Sequence, residues 1–337
     1  MTRRRGRKPS RLRALAALLL FLTLLTSAYI AGRALEQRGA ATGRGSLEGR
    51  FEDDRIIEYR DQRYRYRKQL TNILIMGIDT TAEGTQAGIG YRRGGQADFL
   101  LLLVIDHQRQ LITPVHIDRD TMAEITVLGV LGNTAGTKTA QICLSHGFGD
   151  GQAQSCRFTV EAVSKLLLGV DVDFYAAMNL DSIALLNDAL GGVTVTLEDD
   201  FSMLDPAMTA GTTLTLSGKQ AEYYVRNRME IGVGTNESRM ARQRVYMDQL
   251  AGILGERIGQ SASFTGELFD LLEPHLQTNM KRGRIINEAW RAHDYERAAI
   301  VTPAGEHITG SDGFVEFPAD QAALEELVIS LFFEPLS

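Results

Sequence analysis

Three apolar runs follow one another in the chain, and each is long enough for one β-strand. They are NILIMGID at residues 72–79, ADFLLLLVID at 97–106 and QLITPVHIDRD at 110–120. Apolar runs without polar alternation are typical of strands that are covered on both faces. We therefore expect an α/β fold in which helices lie above and below a central sheet.

Further along the chain, helical patterns and shorter strand patterns support the same prediction. Ser217 stands where an N-cap is expected, and glycines mark several helix ends. The runs VDFYAAMNL, VTVTL and RAAIV predict additional strands. Helices are predicted over residues 159–168, 181–190, 217–228, 239–258, 263–272, 280–291 and 320–333.

An uncharged apolar segment at residues 14–32 follows a basic head at residues 1–13, which contains seven Arg and Lys residues and no acid. About 20 apolar residues span the hydrocarbon core of a bilayer as a helix. Because basic residues mark the cytoplasmic side, we expect a single transmembrane helix in the cell membrane, with the N-terminus cytoplasmic and the remainder extracytoplasmic. A cleaved signal peptide is the alternative, although its apolar run is usually only about 7–15 residues long.

Residues 33–69 have the composition of a stalk before a folded domain at residues 70–337. EQRGAATGRGSLEGR is rich in Gly and charged residues and offers little to bury. EYRDQRYRYRKQ alternates Tyr with charge, which predicts either an edge strand or a segment on the membrane surface.

Charge and cysteine content argue against nucleic-acid binding and against a zinc site. A net charge of −6 does not favour nucleic-acid binding. Cys143 and Cys156 either form a disulfide, which an extracytoplasmic location permits, or remain free thiols. Since no His and Cys cluster surrounds them in the sequence, a zinc site is not expected.

Two carboxylates stand at the ends of predicted buried strands. Asp79 ends the first run and Asp98 begins the second, with the Gly-rich stretch TAEGTQAGIGYRRGGQ between them. Mg²⁺ in proteins is typically bound by one or two carboxylates together with water and substrate phosphates. The pair predicts a magnesium site, and the alternative is that each Asp only stabilises a turn.

Arginines gather on both sides of a second loop, MEIGVGTNES. Arg226 and Arg228 precede it, whereas Arg239 and Gln243 follow it on one face of a predicted helix. A cation in the first turn opposes the helix dipole, so Arg239 indicates an anion nearby. Because guanidinium groups bind phosphate oxygens bidentately, these residues predict a pyrophosphate site. A solvated basic surface is the alternative.

The third apolar run is followed by Arg119 between Asp118 and Asp120. Alone, this pattern is typical of a surface ion-pair network. Together with the carboxylates and the other arginines, it suits phosphoryl transfer, in which positioning and charge neutralisation supply most of the catalysis.

The order of these segments resembles the motif series of the LytR-CpsA-Psr family. The resemblance covers about residues 70–333, and the predicted membrane anchor agrees with it. The segments that carry it are NILIMGID, ADFLLLLVID, HIDRDTMAEI, residues 145–149, NDALGGVTV, YYVRNR and SRMARQRVYM.

The resemblance implies a mixed central β-sheet sandwiched between helices, with a long apolar groove for a polyprenyl chain. The implied activity is Mg²⁺-dependent transfer of a glycopolymer from a polyprenyl-pyrophosphate carrier to a cell-wall acceptor, usually peptidoglycan. Asp79 and Asp98 would bind the metal, and Asp120 would hold its neighbour in place. The implied catalytic and pyrophosphate-binding side chains are Arg119, Arg226, Arg228 and Arg239, with Gln243 beside them.

The chain also departs from the family pattern. The departures leave fewer cations for the phosphates, although the Gly-rich loop offers Arg92 or Arg93 as substitutes. They are Gln96 and Ala123 in place of arginines, Asp118 in place of a proline, and Gln141 in place of a lysine.

Two other functions remain open at this point. A polyprenyl-pyrophosphate hydrolase would use the same site with water as the acceptor. A non-catalytic regulator or scaffold at the cell wall is the alternative from a different class, but it gives no reason to keep mutually repelling charges together.

Overall fold

The computed structural model describes residues 55–81, 94–129, 133–228, 231–261 and 263–336. The chain divides into two compact units, residues 1–57 and 58–337, and the description concerns almost entirely the second. The expected membrane segment at residues 14–32 and the basic head before it lie outside the described residues. Within the described ranges, no helix combines the length and the apolar character needed to cross a membrane.

Short strands and helices alternate through the second unit. The strands are β1 (Ile56–Tyr59), β2 (Gln62–Tyr66), β3 (Leu70–Ile78), β4 (Ala97–Asp106), β5 (Leu111–Ile117), β6 (Met122–Leu128), β7 (Thr134–Gln141), β8 (Phe174–Met178), β9 (Thr194–Thr196), β10 (Thr213–Thr215), β11 (Leu276–Thr278), β12 (Glu296–Arg297), β13 (Ile308–Thr309), β14 (Val315–Glu316) and β15 (Phe333–Pro335). The helices are α1 (Leu144–Gly147), α2 (Ala153–Leu166), α3 (Asp181–Ala189), α4 (Gly218–Arg226), α5 (Asn236–Gln260), α6 (Phe264–Leu272), α7 (Arg282–Ala292) and α8 (Gln321–Phe332).

The central sheet has six strands in the order β11-β8-β3-β4-β5-β12. The pairs β3–β4 and β4–β5, formed by the three apolar runs, are antiparallel, whereas β3–β8 and β5–β12 are parallel. Residues of both strand faces, such as Leu100, Leu101 and Leu102 in β4, are buried, which explains why these runs show no polar alternation. The prediction of a mixed central sheet in an α/β fold is confirmed.

A second apolar core lies beside the sheet and supports the helices that carry the predicted arginines. Phe201, Met208, Tyr224 and Tyr246 are buried in it, together with residues of β9. The core packs α4 against α5, because Tyr224 belongs to α4 and Tyr246 to α5. Burial of this apolar core therefore stabilises the packing of the two helices that carry the predicted arginines.

Helix ends agree with the sequence where a capping residue is recognisable. Ser217 accepts a hydrogen bond from the backbone N–H of Gln220 and forms a capping box with it, as expected. In contrast, α2 begins at Ala153 rather than at residue 159, because Asp150 accepts hydrogen bonds from backbone N–H groups of the first turn. This cap is hidden in a Gly-rich stretch that reads as a loop.

The predicted stalk at residues 33–69 is wrong in its last part, because β2 pairs antiparallel with β15 near the C-terminus. The ring of Tyr66 stacks on Phe332 at 6.3 Å and contacts Phe333 edge-on. Of the two interpretations of EYRDQRYRYRKQ, the structure therefore shows the edge strand. Burial of these rings ties this segment to the folded domain, which begins before residue 70.

Candidate functional site

Three strand ends meet at one edge of the central sheet. Since β3 and β4 are antiparallel, the end of β3 lies beside the start of β4, and the register pairs Ile78 with Ala97. Asp79 directly follows Ile78, and Asp98 is the second residue of β4. The pairing of Leu100 with the last residue of β5 then brings the segment after β5 to the same edge. Antiparallel geometry alone therefore places Asp79, Asp98 and Arg119 together.

The backbone beside Asp79 requires glycine. Gly95 has a positive φ of 69°, and a Cβ there would lie 2.9 Å from Oδ1 of Asp79 and 2.5 Å from Thr80. The close approach lets the backbone N–H of Gln96 donate to Oδ1 of Asp79 at 2.5 Å. Glycine thus permits the turn that fixes this carboxylate at the sheet edge.

Arg119 is held on three sides within this cluster. Its Nη1 donates to Oδ1 of Asp98, and its Nη2 donates to Oε1 of Gln96 at 2.6 Å. Its Nε lies 3.3 Å from Oδ1 of Asp120. Gln96 therefore acts as an acceptor that orients Arg119. Asp120 was expected to hold Arg119 in place, and it lies in contact with this side chain.

The other predicted arginines come from the facing ends of α4 and α5. Helix α4 ends at Arg226, and the extended backbone of Asn227 leads Arg228 away from the helix. Thr235 caps α5, so Arg239 lies in its first turns, where its Nη1 approaches Oδ2 of Asp98 at 3.5 Å. The chain leaves the helix between Arg226 and Arg228, so helical spacing does not separate their side chains.

Two neighbouring side chains of α5 hold the end of α4. Arg242 donates from Nε to the carbonyl oxygen of Tyr224 at 3.1 Å and pairs through Nη1 with Asp199 at 2.7 Å. Gln243 donates from Nε2 to the carbonyl oxygen of Val225 at 3.0 Å. These bonds satisfy carbonyl groups that a helix end otherwise leaves unpaired. They fix the position from which Arg226 and Arg228 project.

All of these elements line one cavity of about 680 Å³. Along α5 the lining changes from Arg239 and Gln243 to Leu250 and Leu254, which lie up to about 22 Å further along the helix, so one end of the cavity is charged and the other is aliphatic. The charged and polar lining residues include Asp79, Asp98, Arg119, Arg226, Arg228, Arg239 and Gln243; the apolar ones include Ile183, Leu186, Val225, Met247, Leu250 and Leu254.

Electrostatics at the charged end favour an additional anion and a cation close together. The pKa of Asp79 is raised above its usual value by burial, and the negative charge of Asp98 raises it further, against the opposing effect of the Gln96 backbone bond. The pKa of Arg239 is lowered by burial and by the positive charges of Arg119 and Arg228, although Asp98 opposes this. A metal ion would relieve the repulsion between Asp79 and Asp98. A phosphate group would relieve the repulsion of Arg239 by the other arginines.

The predicted residues differ in how they meet the cavity. Asp120 is buried and is not among the described residues that line it. Arg226 lines the cavity but is exposed, and its Nη1 pairs with Glu222 of the same helix at 2.8 Å. Arg92 and Arg93 lie outside the described residues. Among the described arginines, Arg119, Arg228 and Arg239 line the cavity without being exposed.

The two cysteines are free thiols, and both are buried. Cys143 lies at the site, where its Sγ accepts from Nη2 of Arg119 at 3.4 Å. Burial raises the pKa of Cys143 to about 12, so its sulfur stays protonated at neutral pH. Of the two alternatives left open by the sequence, the structure shows the free thiols.

The resemblance implied an apolar groove, but the sequence alone did not single out the residues of α5 that line the cavity. Met247, Leu250 and Leu254 follow Gln243 at helical spacing on α5 and line the same cavity. This periodicity was visible in the sequence, but it is equally typical of a helix that packs against a core. Only the position of the helix distinguishes the two cases.

Comparison of the sequence with known proteins finds one matching family and several relatives. The model of the LytR_cpsA_psr family matches residues 44–328. A Bacillus subtilis protein named polyisoprenyl-teichoic acid–peptidoglycan teichoic acid transferase TagU is 27% identical over 271 residues, which cover 79% of this chain and 78% of that protein. The Corynebacterium glutamicum cell wall biosynthesis protein LcpA is 25% identical over 296 residues, covering 78% and 55%.

Solved structures show the same fold. A Streptococcus agalactiae protein superposes with a TM-score of 0.62 at 22% identity, covering 77% of this chain and 87% of that one. A structure described as TagT bound to LI-WTA gives a TM-score of 0.59 at 20% identity, covering 78% and 90%.

Proposed function

The chain belongs to the LytR-CpsA-Psr family, and from this premise we propose that it transfers a glycopolymer from a polyprenyl-pyrophosphate carrier to a cell-wall acceptor such as peptidoglycan. The observation that carries the proposal is a single cavity with one charged and one aliphatic end. A lipid pyrophosphate has the same division, since its phosphates are anionic and its chain is apolar. The relatives named TagU are teichoic acid transferases by name, and the TagT structure contains LI-WTA.

The charged end suits a pyrophosphate bridging the glycan and the lipid. Arg119, which follows β5, and Arg239 of α5 both line this end of the cavity and are already oriented by Asp98. Arg228 lines it from the end of α4. Preoriented guanidinium groups stabilise the charge that grows on a leaving phosphate without reorganising during the reaction. On this proposal, the arginines bind the ground state and favour departure of the polyprenyl phosphate.

Asp79 and Asp98 fit a magnesium ion. Both offer carboxylate oxygens on the cavity wall, and burial and the charge of Asp98 raise the pKa of Asp79, which supports a cation beside them. When bound, Mg²⁺ would neutralise phosphate charge and polarise the phosphoryl group under attack. Two carboxylates leave most of its octahedral positions to water and to the phosphates.

The reaction tests the proposal directly. Full-length protein in detergent or vesicles is given a polyprenyl-pyrophosphate-linked glycan, with and without peptidoglycan, and both released polyprenyl phosphate species and wall-bound glycan are measured. We expect glycan on peptidoglycan in proportion to lipid release. Release that is independent of peptidoglycan, without wall-bound glycan, would instead support the hydrolase.

The aliphatic end of the cavity gives a prediction of its own. A Met247→Trp substitution fills part of the apolar lining and should exclude part of the lipid chain. Since each buried CH₂ contributes about 0.8 kcal/mol, losing two should weaken binding of a long-chain polyprenyl pyrophosphate by about tenfold.

Val245→Trp is the matched control, because Val245 lies on the same helix but is 44% exposed. Affinities for a polyprenyl pyrophosphate and for inorganic pyrophosphate are measured by calorimetry in both variants. Only Met247→Trp should weaken the lipid, and neither should affect inorganic pyrophosphate. Equal lipid affinity in the two variants would place the lipid chain elsewhere.

We further propose that residues 14–32 anchor the chain in the cell membrane, with residues 1–13 cytoplasmic. The arrangement places the catalytic domain where lipid-linked glycans meet peptidoglycan. Protease added to intact protoplasts should digest the domain and leave an epitope tag on the N-terminus intact. Protection of the domain in intact cells would contradict this topology.

A further inference from the structure

Asp118 is a buried carboxylate directly before Arg119 in the chain. It is 2% exposed, and both of its oxygens are engaged. Oδ2 lies 2.9 Å from Nε2 of His307, whereas Oδ1 accepts from the backbone N–H of Asp120 at 2.8 Å and from Nδ2 of Asn236 at 2.9 Å. A buried charge with this many partners is held in one orientation.

The contact with Asn236 decides which way that amide faces. Nδ2 of Asn236 donates to Asp118, so Oδ1 is directed to Arg239 and accepts from its Nη2 at 2.7 Å. If the amide turned over, its NH₂ group would face a guanidinium, which has donors but no acceptor. The carboxylate of Asp118 therefore keeps the acceptor of Asn236 in place for Arg239.

Arg239 needs this support because it is buried among other cations. It is 5% exposed, and the charges of Arg119 and Arg228 act on it. Its Nη1 lies 3.5 Å from Asp98, and its Nε is buried without a hydrogen-bond partner among the described residues. The Nη2 bond to Asn236 is the shortest contact recorded for this guanidinium, so it sets the direction of the remaining donors.

A metal ion is the other chemistry to which this cluster could belong. Ligand atoms of Asp118, Asp120 and His307 lie within 4.8 Å of one another. However, Arg119 and Arg228 act electrostatically on Asp120, and both oxygens of Asp118 already accept hydrogen bonds or pair with His307. The two hydrogen bonds that Oδ1 of Asp118 accepts fit an orienting network, and the experiment below separates this role from a metal site.

We propose that Asp118, anchored by His307, is a positioning residue that orients Arg239 for the pyrophosphate through the side chain of Asn236. The inference rests on the proposed function, because it assigns Arg239 to the substrate. Asp118 touches neither the cavity nor the reacting atoms. It acts by fixing the amide that in turn fixes the guanidinium.

Three variants of the full-length protein test this chain of contacts by their turnover of a polyprenyl-pyrophosphate-linked glycan. Asp118→Leu removes the acceptor for Asn236 at nearly constant size, and Asn236→Ala removes the bond to Arg239. Both should lower kcat by about tenfold or more. We take this magnitude from metal sites, where removing a residue that orients a ligand has an effect of this size. Asp118→Asn should retain most of the activity, because the Asp120 N–H keeps its remaining oxygen in the accepting position.

A double substitution separates positioning from general damage to the fold. In the Arg239→Ala background, Asn236→Ala should have no further effect on kcat, whereas a merely structural defect would lower it again. His293→Gln serves as the control, since His293 is only partly buried, contacts the carbonyl oxygen of Trp290 and is not among the described residues that line the cavity. Melting temperatures are measured for all variants.

The variants separate a failure of the proposed function from a failure of the positioning role. If Arg239→Ala is fully active, the proposed function fails at this residue. If Arg239→Ala is impaired but Asn236→Ala and Asp118→Leu match wild type, only the positioning role is overturned. It is also overturned if elemental analysis finds a bound divalent metal that His307→Gln removes.

Discussion

Arg239→Ala should lower turnover by about 10²–10³-fold, the loss measured when one preoriented donor is removed from an oxyanion site. Arg239 is buried, lines the cavity and lies 3.5 Å from Asp98, so its donors are held at the charged end. Arg228→Lys keeps the charge but loses the planar fork and should also impair turnover. The rate is measured as polyprenyl phosphate release with the lipid-linked glycan as substrate.

Arg257→Ala is the matched control for this prediction. Arg257 lies on the same helix as Arg239, but its Nη2 approaches the carbonyl oxygen of Leu190 at 3.5 Å and it is not among the described lining residues. Its loss should leave turnover close to wild type. If Arg239→Ala and Arg228→Lys fold and support turnover as well as Arg257→Ala does, the catalytic site is wrong and a scaffold function gains support.

Asp98→Asn should cause the second large loss, because Asp98 is shared by the proposed metal and by two arginines. Its Oδ1 accepts from Arg119, and its Oδ2 lies 3.5 Å from Arg239. Electrostatic stabilisation by a bound metal is worth several kcal/mol in the transition state. We therefore expect turnover to fall by at least about 10³-fold and added Mg²⁺ to have little effect.

Asp106→Asn is the control. Asp106 is the last residue of β4, whereas Asp98 is near its start, and Oδ1 of Asp106 accepts from the backbone N–H groups of Gln108 and Arg109. Turnover is titrated with Mg²⁺ in both variants. A normal Mg²⁺ response in Asp98→Asn would remove this residue from the metal site.

The raised pKa of Asp79 also predicts a pH dependence of metal binding. A carboxylate binds Mg²⁺ when it is deprotonated, and burial together with Asp98 raises the pKa of Asp79 above 3.8. On acidification, protons therefore compete with the metal at a higher pH than they would for an unperturbed aspartate. The apparent Mg²⁺ affinity, measured by calorimetry from neutral pH downward, should fall in wild type before the fold is lost. An affinity independent of pH down to 3.8 would exclude Asp79 as a ligand.

The sequence was sufficient for the central sheet because its three apolar strands have an unmistakable pattern. β7 had no such pattern, since its residues Thr134–Gln141 are mostly exposed Thr, Ala and Gly. Its pairing with β6 depends on backbone hydrogen bonds, which any sequence can form. Strands of this kind leave little periodicity to recognise.

The site could be predicted in its residue types but not in its internal contacts. Strand ends predicted that Asp79 and Asp98 share an edge, and helix position predicted an anion at Arg239. The sequence could not show that Arg226 pairs with Glu222, or that His307, almost 190 residues away, contacts Asp118. Such contacts depend on how segments far apart in the sequence pack together, and local sequence patterns do not reveal that packing.

If one cavity binds both halves of a lipid pyrophosphate, a crystal structure of the protein with a bound polyprenyl pyrophosphate will show both halves there. We expect phosphate oxygens within hydrogen-bonding distance of Arg119 and Arg239, beside Asp98. We also expect the lipid chain between α3 and α5, in contact with Ile183 and Leu250. A ligand whose phosphates lie away from these arginines, or whose chain lies outside the cavity, would contradict the proposed binding mode.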